Sequence, residues 1–365
     1  MKNPVRSAVV GLSVLALALS GCAVQEEPET PDEVLVAEEE EVVAVEVARH
    51  PLTGMELGAA SVEGPSIAIK IDNTSSGRPQ VGIAAADLVF EELVEGGVTR
   101  YLAVFHTAIP EEVGPVRSGR PQDADLIAPL GGVFVFSGVG NANVREIIKA
   151  SGVVTVEHDT SGGTPEGEHF FRSSRKPAPW NLHIEAQEII DMNSGLAAPV
   201  QQFEYRTDPA ESSAVVSGSA SESLTAVFSA GVNSEWVWDQ GTGLYLKFLS
   251  NGSPDLDADG TQISATNVVV MSPNYVDVEG LPTAQITGFS DRAYIATGGY
   301  LLEGRFDASA SGKPTLLTDA DGNPVYLAPG KTFVLLPPGE ASTAGGVKPG
   351  QFQFELNGEL VTINL

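Results

Sequence analysis

Short apolar runs, bounded by glycine, proline, asparagine or aspartate, recur through the middle of the chain. Ile67–Ile71, Leu88–Val94 and Tyr101–Phe105 are rich in β-branched and aromatic residues, a composition typical of buried strands. Two further runs, Val133–Phe136 and Val153–Val156, flank a stretch whose pattern predicts a short helix. Together these elements predict an N-terminal domain of the α+β or α/β class with a central sheet.

The pattern changes near residue 203, where shorter runs alternate with glycine, serine, asparagine and aspartate. Strands at this spacing are typical of β-rich domains. The runs predicted to form strands are Leu224–Phe228, Trp236–Trp238, Leu244–Phe248, Asn267–Met271, Gln285–Phe289, Tyr300–Phe306, Thr315–Leu317, Pro324–Leu327 and Thr332–Leu336. We therefore predict a mixed α/β domain at residues 50–205 and a β-rich domain at residues 206–365.

A Gly96–Gly97 pair separates the second and third apolar runs. Such a pair predicts a two-residue hairpin turn, because primed turns need positive φ. With that turn Asp87 faces His106, and Arg100 lies diagonal to Glu91. One face of the hairpin would then carry all four charged or titratable residues, and the other face would pack on the core. We expect the carboxylate to favour the imidazolium form of His106.

Two arginines, Arg117 and Arg120, lie in the proline-restricted run Gly114–Pro121. Guanidinium groups on a stiffened loop can clamp an anion. The alternative is that they pair internally with carboxylates such as Asp123 and Asp125. With Arg78 and Arg100, these two arginines are the candidate ligand-binding residues.

The N-terminus has the pattern of an export signal. Residues 1–21 place two basic residues before an apolar run, Ala8–Leu19, which is short for a membrane span but typical of a signal-peptide core. The run ends in Leu-Ser-Gly-Cys, a lipobox that predicts acylation of Cys22, for example with palmitate. A buried free thiol is the alternative. Cys22 is the only cysteine, so an intramolecular disulfide is excluded.

Residues 22–49 predict an acidic, disordered tether, since residues 23–50 hold ten Asp or Glu and one Arg. The sequence thus predicts a protein exported and held on the outer face of the cell membrane by lipid. The formal net charge is −28. Such a charge argues against nucleic acid as a partner, because binding to phosphates depends on lysine and arginine.

Three histidines, His158, His169 and His183, lie in or beside a polar loop before Ile184–Met192, a run that predicts an amphipathic helix. Their intervals of 11 and 14 residues lack the i,i+3 or i,i+4 pairs of zinc sites, so we predict no metal. The sequence also lacks a Gly-x-Ser-x-Gly elbow, a Walker loop and His-Glu-x-x-His, and we predict no cofactor.

Two acidic runs are predicted to be turns. Asp255–Gly260 resembles the start of a calcium loop, yet the twelfth position is Thr266, where a bidentate glutamate is expected. A hairpin turn is therefore the better interpretation. Asp319–Gly322 is likewise predicted to be a turn.

Several motifs together resemble the YerB-like bacterial lipoproteins, a family whose two domains are both of unknown function. The matching runs are Ile71-Asp-Asn-Thr, Arg78-Pro-Gln, Ala86–Arg100, Val104-Phe-His, Gly114–Pro121, Tyr245-Leu-Lys-Phe, Ala265–Val270, Gly304-Arg-Phe and Thr318–Val334. The family usually has histidine where this chain has Trp180, and the nearby His183 has different neighbours. The resemblance implies two domains and surface attachment, and it supplies no activity or cofactor.

Three hypotheses follow for function. The first is a non-catalytic envelope lipoprotein that binds an anionic wall component or an envelope partner through its arginines. The second is an envelope enzyme acting on a phosphorylated or glycosidic wall precursor. The candidate catalytic residues for it are Asp72, Glu91, Glu92 and His106. The third is a scaffold in envelope assembly.

Overall fold

The computed structural model describes residues 48–57, 63–356 and 358–365. The predicted signal peptide, Cys22 and nearly all of the predicted tether lie outside these residues. Every described residue falls in one compact unit. Folded contacts begin just before the predicted boundary at residue 50, because Arg49 donates from Nη1 to the carbonyl of Gly54 at 2.8 Å and from Nη2 to Thr207 Oγ1 at 2.7 Å.

The N-terminal half alternates strands with short helices. Its strands are β1 (Ile67–Asp72), β2 (Leu88–Leu93), β3 (Thr99–Phe105), β4 (Glu112–Val113), β5 (Val133–Phe136), β6 (Val154–Glu157), β7 (Phe170–Arg172), β8 (Leu182–Glu185) and β9 (Glu204–Tyr205). Its α-helices are α1 (Asp123–Ile127), α2 (Ala142–Lys149) and α3 (Ala186–Met192). Short 3₁₀ turns lie at Ile83–Ala85, Glu95–Gly97 and Glu166–His169.

The C-terminal half is dominated by strands. After a 3₁₀ turn at Pro209–Glu211 and helix α4 (Ser213–Ser217), its strands are β10 (Ser219–Ala220), β11 (Ser223–Ser229), β12 (Val232–Asp239), β13 (Leu244–Phe248), β14 (Ser264–Ala265), β15 (Asn267–Met271), β16 (Tyr275–Val278), β17 (Leu281–Ala284), β18 (Ser290–Thr297), β19 (Tyr300–Asp307), β20 (Leu316–Thr318), β21 (Tyr326–Leu327), β22 (Thr332–Leu336), β23 (Gln351–Leu356) and β24 (Glu359–Asn364). The predicted fold class, a mixed α/β N-terminal half followed by a β-rich half, is confirmed.

A mixed, eleven-stranded sheet runs through both halves of the described chain. Its order is β10-β19-β18-β15-β22-β2-β3-β1-β5-β6, with β20 beside β19. The two halves join where β2 pairs in parallel with β22, so that Leu88 faces Thr332 and Glu92 faces Leu336. The predicted segments 50–205 and 206–365 therefore share one sheet.

Both faces of this sheet are covered where the halves meet. Every residue of β2 is buried, including two glutamates, whereas an open sheet would alternate buried and exposed positions. One cover is a second, antiparallel sheet with the order β14-β13-β12-β11-β23-β24. Its Trp236 packs on Phe333 of β22, with ring centroids 4.7 Å apart. The main core thus lies between the two sheets.

The predicted hairpin register is wrong by one residue. Glu91 faces Tyr101 and Glu92 faces Arg100, because the turn uses three residues, Glu95–Gly97, instead of two. The backbone N–H of Val94 bonds to the Val98 carbonyl at 2.9 Å, and both glycines of the turn have positive φ. Since side chains alternate along a strand, Glu91 and Arg100 lie on opposite faces of the sheet.

Two other predicted elements differ from the structure. Gln285–Phe289 is a turn between β17 and β18 rather than a strand, and the helix predicted over Ile184–Met192 begins only at Ala186. Both acidic runs are turns as predicted: Gly260 N–H bonds to the Asp257 carbonyl at 2.9 Å, and Gly322 N–H bonds to that of Asp319 at 3.1 Å. Among the described helices, none is long and apolar enough to cross a bilayer.

Candidate functional site

The candidate site forms where β1 and β5 separate at their carboxyl ends. These parallel strands are paired only as far as Ile69 and Val135. Beyond that point the segment 117–119 enters the gap: Arg117 N–H bonds to the Lys70 carbonyl at 2.8 Å, and Ser137 N–H bonds to the Arg117 carbonyl at 2.8 Å. Ligands of open α/β sheets bind outside the carboxyl ends of the strands, so this segment lies at a position suited to recognition.

Three of the four candidate arginines meet there. We call the group Arg100, Arg117 and Arg120 with Asp72 and Glu95 the arginine face. Arg117 Nε donates to Asp72 Oδ2, and Arg120 Nε donates to Glu95 Oε2 at 2.8 Å. Arg100 Nη1 donates to the Ser118 carbonyl at 2.8 Å, and its Nη2 lies 3.5 Å from Glu95 Oε1.

Solvent reaches these arginines unequally. The side chains of Arg100 and Arg117 are 15% and 17% exposed, whereas that of Arg120 is 4% exposed. Arg120 also donates to the carbonyl of Gly119 at 2.7 Å. Arg120 is therefore held in the architecture of the loop, and Arg100 and Arg117 form the accessible part of the arginine face. Internal pairing does occur, but with Asp72 and Glu95 rather than with the carboxylates expected from the sequence.

Positive charge exceeds negative charge on the arginine face, where three guanidinium groups meet two carboxylates. Burial and the neighbouring charge of Arg120 lower the pKa of Arg100 to about 10, against the opposing effect of Glu95. Burial alone would raise the pKa of Glu95, but hydrogen bonding and the charges of Arg120 and Arg100 lower it. The carboxylate is thereby kept ionised between two guanidiniums.

A buried ionic cluster supports the arginine face from below. Lys70 Nζ donates to Glu92 and, at 2.8 Å, to Asp123 Oδ1, and all three side chains are completely buried. Asp123 Oδ2 in turn accepts from the backbone N–H of Arg120 at 2.6 Å. Burial and the nearby Asp123 charge raise the pKa of Glu92 to about 8, although Lys70 opposes this.

The fourth arginine, Arg78, lies on the other face of the sheet. Its Nη2 donates to Asn73 Oδ1 at 2.8 Å, and its Nε lies 3.8 Å from Asp255 Oδ2. Asn73 Nδ2 donates to Glu91 Oε1 at 2.9 Å. Because Asp72 and Asn73 are consecutive residues at the end of β1, they direct Arg117 and Arg78 to opposite sides.

The candidate catalytic residues do not lie together. Glu92 lies in the buried cluster below the arginine face, whereas Glu91 accepts from Asn73, from Thr99 Oγ1 at 3.0 Å and from Ser234 Oγ at 2.7 Å. Both glutamates are fully buried. Asp72 pairs with Arg117 on the arginine face.

His106 lies at the opposite end of β3. The Asp87 carboxylate accepts from the backbone N–H of His106 at 2.7 Å, and the His106 ring packs against that of His50 with centroids 4.8 Å apart. Burial lowers the pKa of His106, although Gly64 and Asp87 oppose this effect. The predicted imidazolium is therefore not favoured, because desolvation outweighs the carboxylate.

The loop histidines each approach an acidic residue. His158 Nδ1 is 3.0 Å from Asp159, His169 Nδ1 is 2.8 Å from Glu185, and His183 Nδ1 is 2.7 Å from Glu112. In residues 48–57, 63–356 and 358–365 there is no group of three His, Cys, Asp or Glu side chains able to hold a metal ion.

Two family models match the chain, one in each half. "Protein of unknown function (DUF3048) N-terminal domain" matches residues 52–198, and "Protein of unknown function (DUF3048) C-terminal domain" matches residues 224–334. The chain belongs to the DUF3048 family. The resemblance seen in the motifs is thereby confirmed.

YerB of Bacillus subtilis is similar to this chain in sequence and in fold. A Bacillus subtilis (strain 168) protein named "Putative lipoprotein YerB" is 32% identical over 141 residues, which are 39% of this chain and 41% of that protein. The alignment thus spans less than half of the relative. A crystal structure of the YerB protein from Bacillus subtilis, 22% identical, aligns with a TM-score of 0.67 over 80% of this chain and 97% of that chain. The fold is therefore shared.

A tryptophan lies beside the arginine face. The ring centroid of Trp180 is 5.9 Å from Arg117 Cζ. Lys176 lies in the preceding residues, and burial lowers its pKa while Asp72 opposes this effect. Neither residue was a sequence candidate. The sequence feature that could have indicated them is an aromatic residue close to an arginine and a lysine within a proline-rich run.

Proposed function

We propose that this protein is a lipid-anchored cell-envelope protein whose arginine face binds an anionic wall component. The lipobox ending at Cys22 supports the anchor, and the name of the Bacillus subtilis relative agrees with it. No enzymatic reaction is needed in this proposal. The protein would act by holding its ligand, or an envelope partner that carries the same charge, at the membrane surface.

The observation that carries the proposal is the local excess of positive charge on the arginine face. The chain has a net charge of −28. The arginine face differs from this average, because it holds three guanidinium groups and two carboxylates. A ligand anion can bind Arg117 beside Asp72, and Arg100 lies within the same positive field. Charge-assisted hydrogen bonds to guanidinium suit phosphate or carboxylate groups.

The burial of the catalytic candidates favours binding over catalysis. Glu91 and Glu92 are fully buried, and each is held by several internal donors or charges. A general acid or base must come within hydrogen-bonding distance of its substrate. A catalytic role for either glutamate would require the two sheets, or α1 and β2, to separate.

The ligand class can be tested with isolated cell-wall fragments. The full chain, purified in detergent, is mixed with fragments that retain their phosphodiester polymers and with fragments from which acid has removed them. We expect retention on the intact fragments only, with retention falling steeply as salt is added. Equal retention on both preparations, or retention that does not depend on salt, would contradict an anion-binding face.

A further inference from the structure

A polar cavity lies on the side of the sheet opposite the arginine face. It has a volume of about 250 Å³ and is formed between the end of β1 and strands β12 and β13 of the antiparallel sheet. Its lining includes Asn73, Thr74, Ser75, Arg78, Asn233 and Phe248. Both halves of the chain thus contribute to it.

The lining of the cavity mixes polar and apolar residues from both halves of the chain. Its polar residues include Ser75, Arg78 and Asn233, and its apolar residues include Phe248 and Leu249. A ring that carries hydroxyl groups at its edges and C–H groups on its faces matches such a site. Pockets for drug-sized ligands measure ~300–1,000 Å³, so this cavity suits one small ring.

The charges around the cavity are balanced. Arg78 and Lys247 are matched by Glu91 and Asp255: Lys247 Nζ donates to Asp255 Oδ2 at 3.0 Å, and Arg78 Nε is 3.8 Å from the same oxygen. Glu91 accepts hydrogen bonds on both of its oxygens. A charged ligand would lack a counter-ion here, and an unpaired charge is costly in a partly buried site.

We propose that this cavity binds one neutral pyranose ring, as in a terminal sugar of an uncharged glycan. The Asn233 side chain uses its amide nitrogen on Glu235 at 2.7 Å, which leaves the amide oxygen to accept from a sugar hydroxyl. Ser75 is exposed at the mouth and can donate or accept. The proposal does not depend on the arginine face, because the two sites lie on opposite faces of β1.

Equilibrium dialysis of the full chain in detergent can test this with radiolabelled glucose, galactose and N-acetylglucosamine, and with inorganic phosphate as the charged comparison. We expect saturable binding of at least one of the three sugars. Ser75→Trp, which fills the mouth, and Asn233→Ala, which removes the acceptor, should each weaken that binding by at least about tenfold.

Ser76→Trp is the matched control, since Ser76 is also exposed and is the next residue but does not line the cavity. It should leave sugar binding unchanged, and unchanged melting temperatures of all variants would show that they fold. Failure of all three sugars to bind the wild-type chain would overturn the proposal. So would sugar binding that survives Ser75→Trp, or phosphate binding that Ser75→Trp abolishes.

Discussion

Lys70 Nζ lies 2.8 Å from Asp123 Oδ1 in a place fully closed to solvent. Removing one partner of a buried ion pair leaves a charge without compensation and costs about 3–5 kcal/mol. We therefore expect Lys70→Met to lower the free energy of unfolding by about that amount in urea titrations. Lys149→Met is the control: its ammonium is half exposed beside Glu146, and the change should stay within about 0.5 kcal/mol. A similar small loss for Lys70→Met would contradict the role of the cluster.

Acid should weaken the contact between His50 and His106. Burial lowers the pKa of His50 from 6.5 to about 4, although Asp87 opposes this effect. In the unfolded chain the imidazole binds a proton first, so its contribution is complete above pH 6.5 and is lost as the pH falls toward 4. The loss can reach about 3 kcal/mol.

The comparison of the wild type with His50→Gln at pH 7 and pH 4 isolates this contribution, because the glutamine does not titrate. The stability of the wild type relative to the variant should fall between the two pH values. If the difference in the free energy of unfolding between wild type and variant stays constant or grows on acidification, folding does not lower the pKa of His50.

The sequence was sufficient to predict the strands with a strong apolar pattern. Val133–Phe136, Asn267–Met271 and Thr332–Leu336 have the bounds that the apolar runs predict. It did not reveal β23 or β24, in which polar residues interrupt the apolar pattern. It also did not reveal β18, which begins with three polar residues. It also could not show that β22 pairs with β2, because that contact joins residues far apart in the chain.

The candidate site shows the same limit at the level of single residues. The Gly-Gly signal located the turn, but the register depends on whether two or three residues form it. The three-residue turn moves Arg100 away from Glu91 and toward Glu95. Lys70 lies within an apolar strand, and its role in the ionic cluster becomes visible only when α1 brings Asp123 onto the same face.

The proposed lipid anchor requires Cys22, because the sequence contains no other cysteine. We expect Cys22→Ala to abolish incorporation of radiolabelled palmitate in cells and to move the protein out of the membrane fraction. Ser20→Ala is the control, because alanine keeps a small residue before the cysteine. The Ser20→Ala protein should still incorporate the label. Lipid label on the Cys22→Ala protein would contradict the lipobox interpretation.

Glu95 competes with any ligand for the guanidiniums of Arg100 and Arg120. Glu95→Gln removes this negative charge while keeping the shape of the side chain. The carboxylate is 44% exposed, but its partner Arg120 is only 4% exposed. We therefore expect the free energy of unfolding to fall by about 1–3 kcal/mol and intact wall fragments to bind more tightly, by a factor of about 3–10. Weaker binding by the folded variant would show that Glu95 itself belongs to the recognition surface.

Anion binding by the arginine face is tested by the retention of full chains carrying Arg100→Gln together with Arg117→Gln on phosphodiester-bearing wall fragments. Both arginines are partly exposed, so this double variant removes the accessible part of the arginine face. Arg172→Gln is the control, because Arg172 is exposed and bonds to Asn181 at 2.9 Å. We predict that the double variant loses retention by at least about tenfold, while the control binds like the wild type. Its melting temperature should fall, because Asp72 is buried and loses its partner, so binding is measured below the melting temperature of the variant. Undiminished retention of the folded double variant would show that the arginine face does not bind the wall fragments.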